Sequence, residues 1–115
     1  MSWEIEFSTA AEHDLDLIFF HLADSFVALG ADRSGAAEQA LARVLHIRDT
    51  AGRIASAPHR VEAHGDLLPG LRHLTLGKAV YWFLVDEEMR RVRVLAIFYG
   101  GQDHQRKMLL RLLGG

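Results

Sequence analysis

Polar and apolar residues alternate from Trp3 to Phe7. Trp3, Ile5 and Phe7 fall on one side of an extended chain and Glu4 and Glu6 on the other, which predicts a half-buried strand. The period then lengthens. Leu15, Ile18, Phe19, Leu22 and Phe26 are spaced for one face of a helix reaching about Leu29. Thr9 and Glu12 form a T-x-x-E capping box at its start, and Gly30 sits where a left-handed stop is wanted. Asp32 or Ser34 caps a second helix, whose buried side is traced by Ala37, Ala40, Leu41, Val44, Leu45, Arg48 and Ala51. Its small alanines allow close approach of the first helix, as in an antiparallel α-hairpin. Gly52 weakens the end of this helix and Pro58 closes the helical region.

From His59 to Gly70 the pattern is irregular, with turn signals at Gly65-Asp66 and Pro69-Gly70. Strands are predicted at about Leu71–Leu76, Lys78–Val85 and Arg91–Tyr99, with residues Asp86 to Arg90 turning between the last two. Val80, Trp82 and Leu84 share one face of the middle strand and Tyr81, Phe83 and Val85 the other. Both faces are apolar, so this strand is central and covered on both sides. Gly100-Gly101 ends the sheet, and Asp103 can cap a last helix carrying Met108, Leu109, Leu112 and Leu113. The order is β-α-α-β-β-β-α: an α+β domain over residues 1–115, its α-hairpin packed on one face of a small four-stranded, mostly antiparallel sheet. The hairpin covers one face only. Tyr81, Phe83 and Val85, or their counterparts on the other side, are therefore expected to line an open apolar groove that a partner segment fills.

Composition narrows the function classes. With no cysteine, disulfides, thiolate chemistry and Cys-based zinc sites are excluded, and a reducing cytoplasm is the natural compartment. The start, MSWEIEF, lacks a basic region followed by an apolar core, so no signal peptide is expected. The most apolar run, Leu15 to Leu29, is interrupted by Asp16, His21 and Asp24 and does not read as a membrane span. The net charge of −2 conceals an asymmetry: residues 1–57 hold four arginines against nine acids, residues 58–115 nine Lys or Arg against six acids. The basic excess suits a phosphate backbone or an acidic protein surface, or protects a sheet edge from aggregation. No Ser/His/Asp arrangement, P-loop or dinucleotide fingerprint is present, and no cofactor is expected.

Several runs resemble the RelE/ParE superfamily of bacterial toxins, often labelled plasmid stabilisation proteins. They are Phe7 to Leu15 (FSTAAEHDL), Pro69 to Lys78 (PGLRHLTLGK), Tyr81 to Asp86 (YWFLVD) and Val92 to Gly101 (VRVLAIFYGG). The resemblance implies a toxin of a type II toxin–antitoxin system, neutralised by a cognate antitoxin whose C-terminal segment wraps it. RelE-like members cut mRNA on the ribosome; ParE-like members inhibit DNA gyrase and are not nucleases. The nucleases carry an arginine early in the central strand, where this chain has Ala79 beside Lys78. They also carry an arginine and a Tyr or His after the last strand. Here that region runs from Gly101 to Met108, with Met108 at the aromatic position. The departures favour the ParE-like branch, a toxin that binds protein, over two alternatives: a RelE-like endoribonuclease and a non-toxic module that only binds its antitoxin.

The candidate residues follow from these two activities. For partner binding they are Arg72, Lys78, Tyr81, Phe83, Arg91 and Arg93, the arginines forming a stripe on one sheet face toward gyrase, antitoxin or RNA phosphates. For ribosome-dependent cleavage they are His104 as general base, with Arg106 and Lys107 on phosphate. His59, His64 and Asp66 have ligand-like types, but surface-loop histidines are far commoner than metal sites, so no metal is expected. His13 and His21 lie too far apart along one helix to share an ion. Trp82 and Phe98 read as core.

Overall fold

A computed structural model describes residues 3–56, 58–59, 62–100 and 103–114. Its elements run β1 (Glu4–Phe7), α1 (Thr9–Ala28), α2 (Arg33–Thr50), α3 (Gly52–Ser56), β2 (Glu62–Ala63), β3 (Leu71–Leu76), β4 (Ala79–Asp86), β5 (Arg91–Tyr99) and α4 (His104–Leu112). The sheet order is β1-β5-β4-β3-β2. β1 runs parallel to β5 and the other pairings are antiparallel. The β-α-α-β-β-β-α order expected from the sequence is observed, with the short helix α3 added after α2 and β2 added as a two-residue edge strand beside β3.

Local chemistry sets most boundaries. α1 is capped one residue before the expected position: Ser8 Oγ accepts from the Ala11 N–H at 3.0 Å. Glu12 does not close a capping box. It pairs instead with Arg48 of α2 at 2.7 and 2.8 Å, which tethers the hairpin and holds the Glu12 carboxyl below its usual range. Gly30, at φ +106°, makes the left-handed stop that a Cβ would strain. Asp32 then caps α2, accepting from the Gly35 N–H at 2.6 Å. Of the expected α2 face, Ala40 and Ala51 are buried, but Leu41 and Leu45 are exposed; Ala36 and Ile47 complete the buried side. Lys78 lies outside the strand, in the two-residue turn opened by Gly77 at φ +61°.

Ser8 does more than cap α1. Its hydroxyl also donates to the Leu95 carbonyl at 3.3 Å, joining α1 to β5. Ser8→Ala should cost about 1–2 kcal/mol of stability, read as a lower urea midpoint at unchanged m.

The sheet carries a core on each face. Tyr81 and Phe83 face the hairpin and are fully buried with Leu15, Ile18, Leu22, Val92, Val94 and Ile97. The Tyr81 hydroxyl donates to the Ile47 carbonyl at 2.6 Å, and burial raises its pKa to about 12. On the other face Val80, Trp82 and Ala96 pack beneath Met108, with Leu68, Phe98 and Leu112 at the margin. The expected open groove at Tyr81, Phe83 and Val85 is therefore corrected. The hairpin takes that face, and α4 covers the upper part of the opposite one. Tyr81 and Phe83 cannot meet a partner.

A β-bulge explains how β5 serves both cores. Phe83 pairs with Val94 and Trp82 with Ala96, leaving Leu95 as the extra residue. The bulge shifts the alternation by one. Val92 and Val94 face the hairpin before it, Ile97 and Tyr99 after it.

Candidate functional site

Over Trp82 three buried or half-buried histidines gather from separate parts of the chain. His73 stands opposite Trp82 across the β3–β4 ladder, so the two rings share a face, with centroids 4.7 Å apart. His64, from the turn before β3, stacks on His73 at 4.8 Å and lies 4.8 Å from Trp82. Its Nε2 is 2.6 Å from His73 Nδ1, a hydrogen bond in which one ring donates and the other accepts. His104, the first residue of α4, completes the group at 4.8 Å from His73 and 5.6 Å from Trp82. His104 Nδ1 and Trp82 Nε1 are buried without a hydrogen-bond partner among the described residues.

α4 is turned so that His104, Met108, Arg111 and Leu112 point inward, at i, i+4, i+7 and i+8. Leu109 and Leu113 are exposed. Asp103 occupies the N-cap position at φ +55° but makes no side-chain cap, contrary to expectation. Of the three residues assigned to cleavage, His104 alone joins the cluster. Arg106 is exposed, and the Lys107 ammonium lies over the Phe98 ring at 5.8 Å. Gly101 and Gln102, which belong to the motif after the last strand, lie outside the described residues.

The anchor of α4 is a buried ion pair that the sequence pattern does not reveal. Asp14, 5% exposed, receives two hydrogen bonds from Arg111 at 2.7 and 2.9 Å and a third from the Ile97 N–H at 2.9 Å. Its place follows from topology. β1 pairs with β5 only as far as Phe7 and Val94, with the Ser8 N–H adding one bond to Val94. Past that point the β1-side edge of β5 has no strand beside it, and the Asp14 carboxylate takes the Ile97 N–H. Arg111 also donates to the Leu95 carbonyl at 3.3 Å, and Asp14 raises its already high pKa.

The expected arginine stripe is divided between the two faces. Arg72 pairs in register with Phe83 and so lies on the hairpin side; Arg93 pairs with Leu84 and Arg91 with Asp86, on the other side. Arg91 meets Glu4 and Glu6 at 3.5 and 3.4 Å, and Arg93 meets Glu6 at 3.8 Å. These are cross-strand pairs on a charged ladder. With Leu84 and Asp86 they line a cleft of about 240 Å³. The loop histidines also part company. His59 contacts Glu87 at 2.5 Å and the Trp3 ring, whereas His64 joins the cluster. Among the described residues no three potential ligands are arranged to hold a metal ion, and no helix is long and apolar enough to cross a membrane.

Solved structures share this fold. The structure from the chromosomal ParDE TA system of P. aeruginosa superposes at a TM-score of 0.61 with 23% identity, over 85% of this chain and 96% of that one. The toxin–antitoxin complex RelBE2 of Mycobacterium tuberculosis gives 0.53 and 17%, over 86% and 99%. The isolated RelE toxin of E. coli gives 0.51 and 11%, over 97% and 99%. No family model and no curated protein matches the sequence. The chain has the RelE/ParE-like fold, as its sequence led us to expect.

Proposed function

We propose that the protein is the toxin of a type II toxin–antitoxin pair, that it acts by binding DNA gyrase, and that a cognate antitoxin neutralises it. The shared fold supports the toxin part of this reading. The observation that carries the choice of binding over cutting is Ala79. It stands where the resembling ribonucleases carry an arginine, and it is buried in the hairpin core at 2% exposure. A scissile phosphate gains no cation from that position. The helices meanwhile expose Leu17 and Phe20 on α1, Leu41 and Leu45 on α2, and Leu110 and Leu113 on α4. Exposed apolar side chains of this kind suit protein partners. Expressed from an inducible promoter, the protein should arrest growth while plasmid DNA loses negative supercoils. Arrest with normal supercoiling would remove gyrase as the target.

The imidazole cluster favours a second reading, mRNA cleavage on the ribosome through His104. Under the leading account the cluster packs α4 and does no chemistry. Wild-type protein should leave message intact in a translating extract, and His104→Ala should change nothing in that lane. Cleavage that disappears in the variant establishes the enzymatic reading instead.

A further inference from the structure

A cleft lies away from the histidines, where α2 passes the β3–β4 turn and the end of β5. It encloses about 510 Å³, within the range of small-ligand sites. Four basic side chains line it: Arg43, His46 and Arg53 from the helical side and Lys78 from the turn. No carboxylate among the described residues does. This is unusual within a chain of net charge −2. Arg48, Arg91, Arg93 and Arg111 each meet a carboxylate within 4 Å. Arg43, Arg53 and Lys78 meet none among the described residues. Arg43 instead donates to the Tyr99 hydroxyl at 3.2 Å, which holds its guanidinium at the cleft wall.

The rest of the lining is apolar or aromatic. Ile47, Leu76, Ala79 and the Tyr81 ring form the floor, and Tyr81 is fixed there by its bond to the Ile47 carbonyl. Thr50 adds a hydroxyl, 3.5 Å from His46 Nε2. Unpaired cations around an apolar floor suit an anion with an apolar body. Arginine favours phosphate because its planar fork makes paired, charge-assisted bonds, and lysine adds a mobile point charge.

We propose that this cleft binds a small phosphate monoester carrying an aromatic or apolar body, of the size of a mononucleotide. Arg43, Arg53 and Lys78 take the phosphate, and Ile47 and Leu76 take the body. The inference is independent of the toxin assignment. It follows from the lining of the cleft, whichever macromolecule the protein acts on.

Calorimetric titration of the purified protein with AMP, adenosine, inorganic phosphate and a short single-stranded oligonucleotide tests it. AMP should bind, with adenosine and phosphate each weaker by about tenfold or more, since each supplies half of the interaction. Lys78→Ala and Arg53→Ala should each weaken AMP by about tenfold. Both residues are exposed, so the variants should keep the wild-type urea midpoint. Arg33→Ala, a cation outside the cleft, should leave AMP binding unchanged. Absence of AMP binding at millimolar concentration overturns the proposal, as does AMP binding that survives both cleft variants. Binding of the oligonucleotide alone also overturns it, in favour of a strand-tracking surface.

Discussion

Asp14→Ala should destabilise the protein by about 3 kcal/mol, the cost of removing a buried carboxylate that holds a backbone N–H and a partly exposed arginine. The substitution leaves the Ile97 N–H without an acceptor and Arg111 without its carboxylate, both beside the Leu95 bulge. It also detaches α4, because Arg111 is the charged residue that ties that helix to α1. Two measurements separate these effects. The urea midpoint should fall by roughly 2 M for an m near 1.5 kcal/mol/M. Trypsin should cut the variant rapidly at Arg106, Lys107 or Arg111 while wild-type protein resists. Asp14→Asn keeps an acceptor for Ile97 but not the charge, and should fall between the two. A midpoint within 0.5 M of wild type, about 0.75 kcal/mol at that m, would show that the pair is dispensable.

The second large effect is expected at Phe83. Its ring is fully buried between β5 and the hairpin, so Phe83→Ala should cost about 3–5 kcal/mol through lost burial and the cavity left behind. The sequence pattern made Phe83 a partner contact, for which truncation would weaken binding and spare folding. Circular dichroism melting distinguishes the two: the structure requires a large fall in melting temperature. An unchanged melt with weaker partner binding would restore the original assignment.

Phe83 also shows where sequence reasoning ran out. The strands, the hairpin and the final helix were legible because their periods differ and because Gly30, Pro58 and Gly100-Gly101 punctuate them. Which face of β4 the hairpin covers was not. Val80, Trp82 and Leu84 are as apolar as Tyr81, Phe83 and Val85, so alternation alone cannot choose between them. The bulge at Leu95 hides the answer further by shifting the β5 pattern midway. The arginine stripe failed for a related reason: Arg72 and Arg93 share a face only if β3, β4 and β5 pair in a register that the backbone does not adopt.

Two features of the site left fainter signals. Asp14 sits beside Leu15 and Ile18 on the buried side of α1, an unusual place for a carboxylate, but its partner lies 97 residues away. The histidine cluster depends on long-range pairing as well. His104 does lie at the start of the i, i+4, i+8 stripe with Met108 and Leu112, which marks it as inward-facing. His73 joins it only through its register with Trp82. Ala79 was legible from the first and keeps its weight, because an alanine side chain there offers no cation to a phosphate.

That residue frames the central claim, that the protein grips gyrase and does not cut RNA. The most direct test is the supercoiling of relaxed plasmid by purified DNA gyrase in the presence of increasing amounts of the purified protein. The account predicts progressive loss of supercoiled product, reaching near-complete inhibition when the protein is in excess over gyrase. Full supercoiling at saturating protein would contradict it.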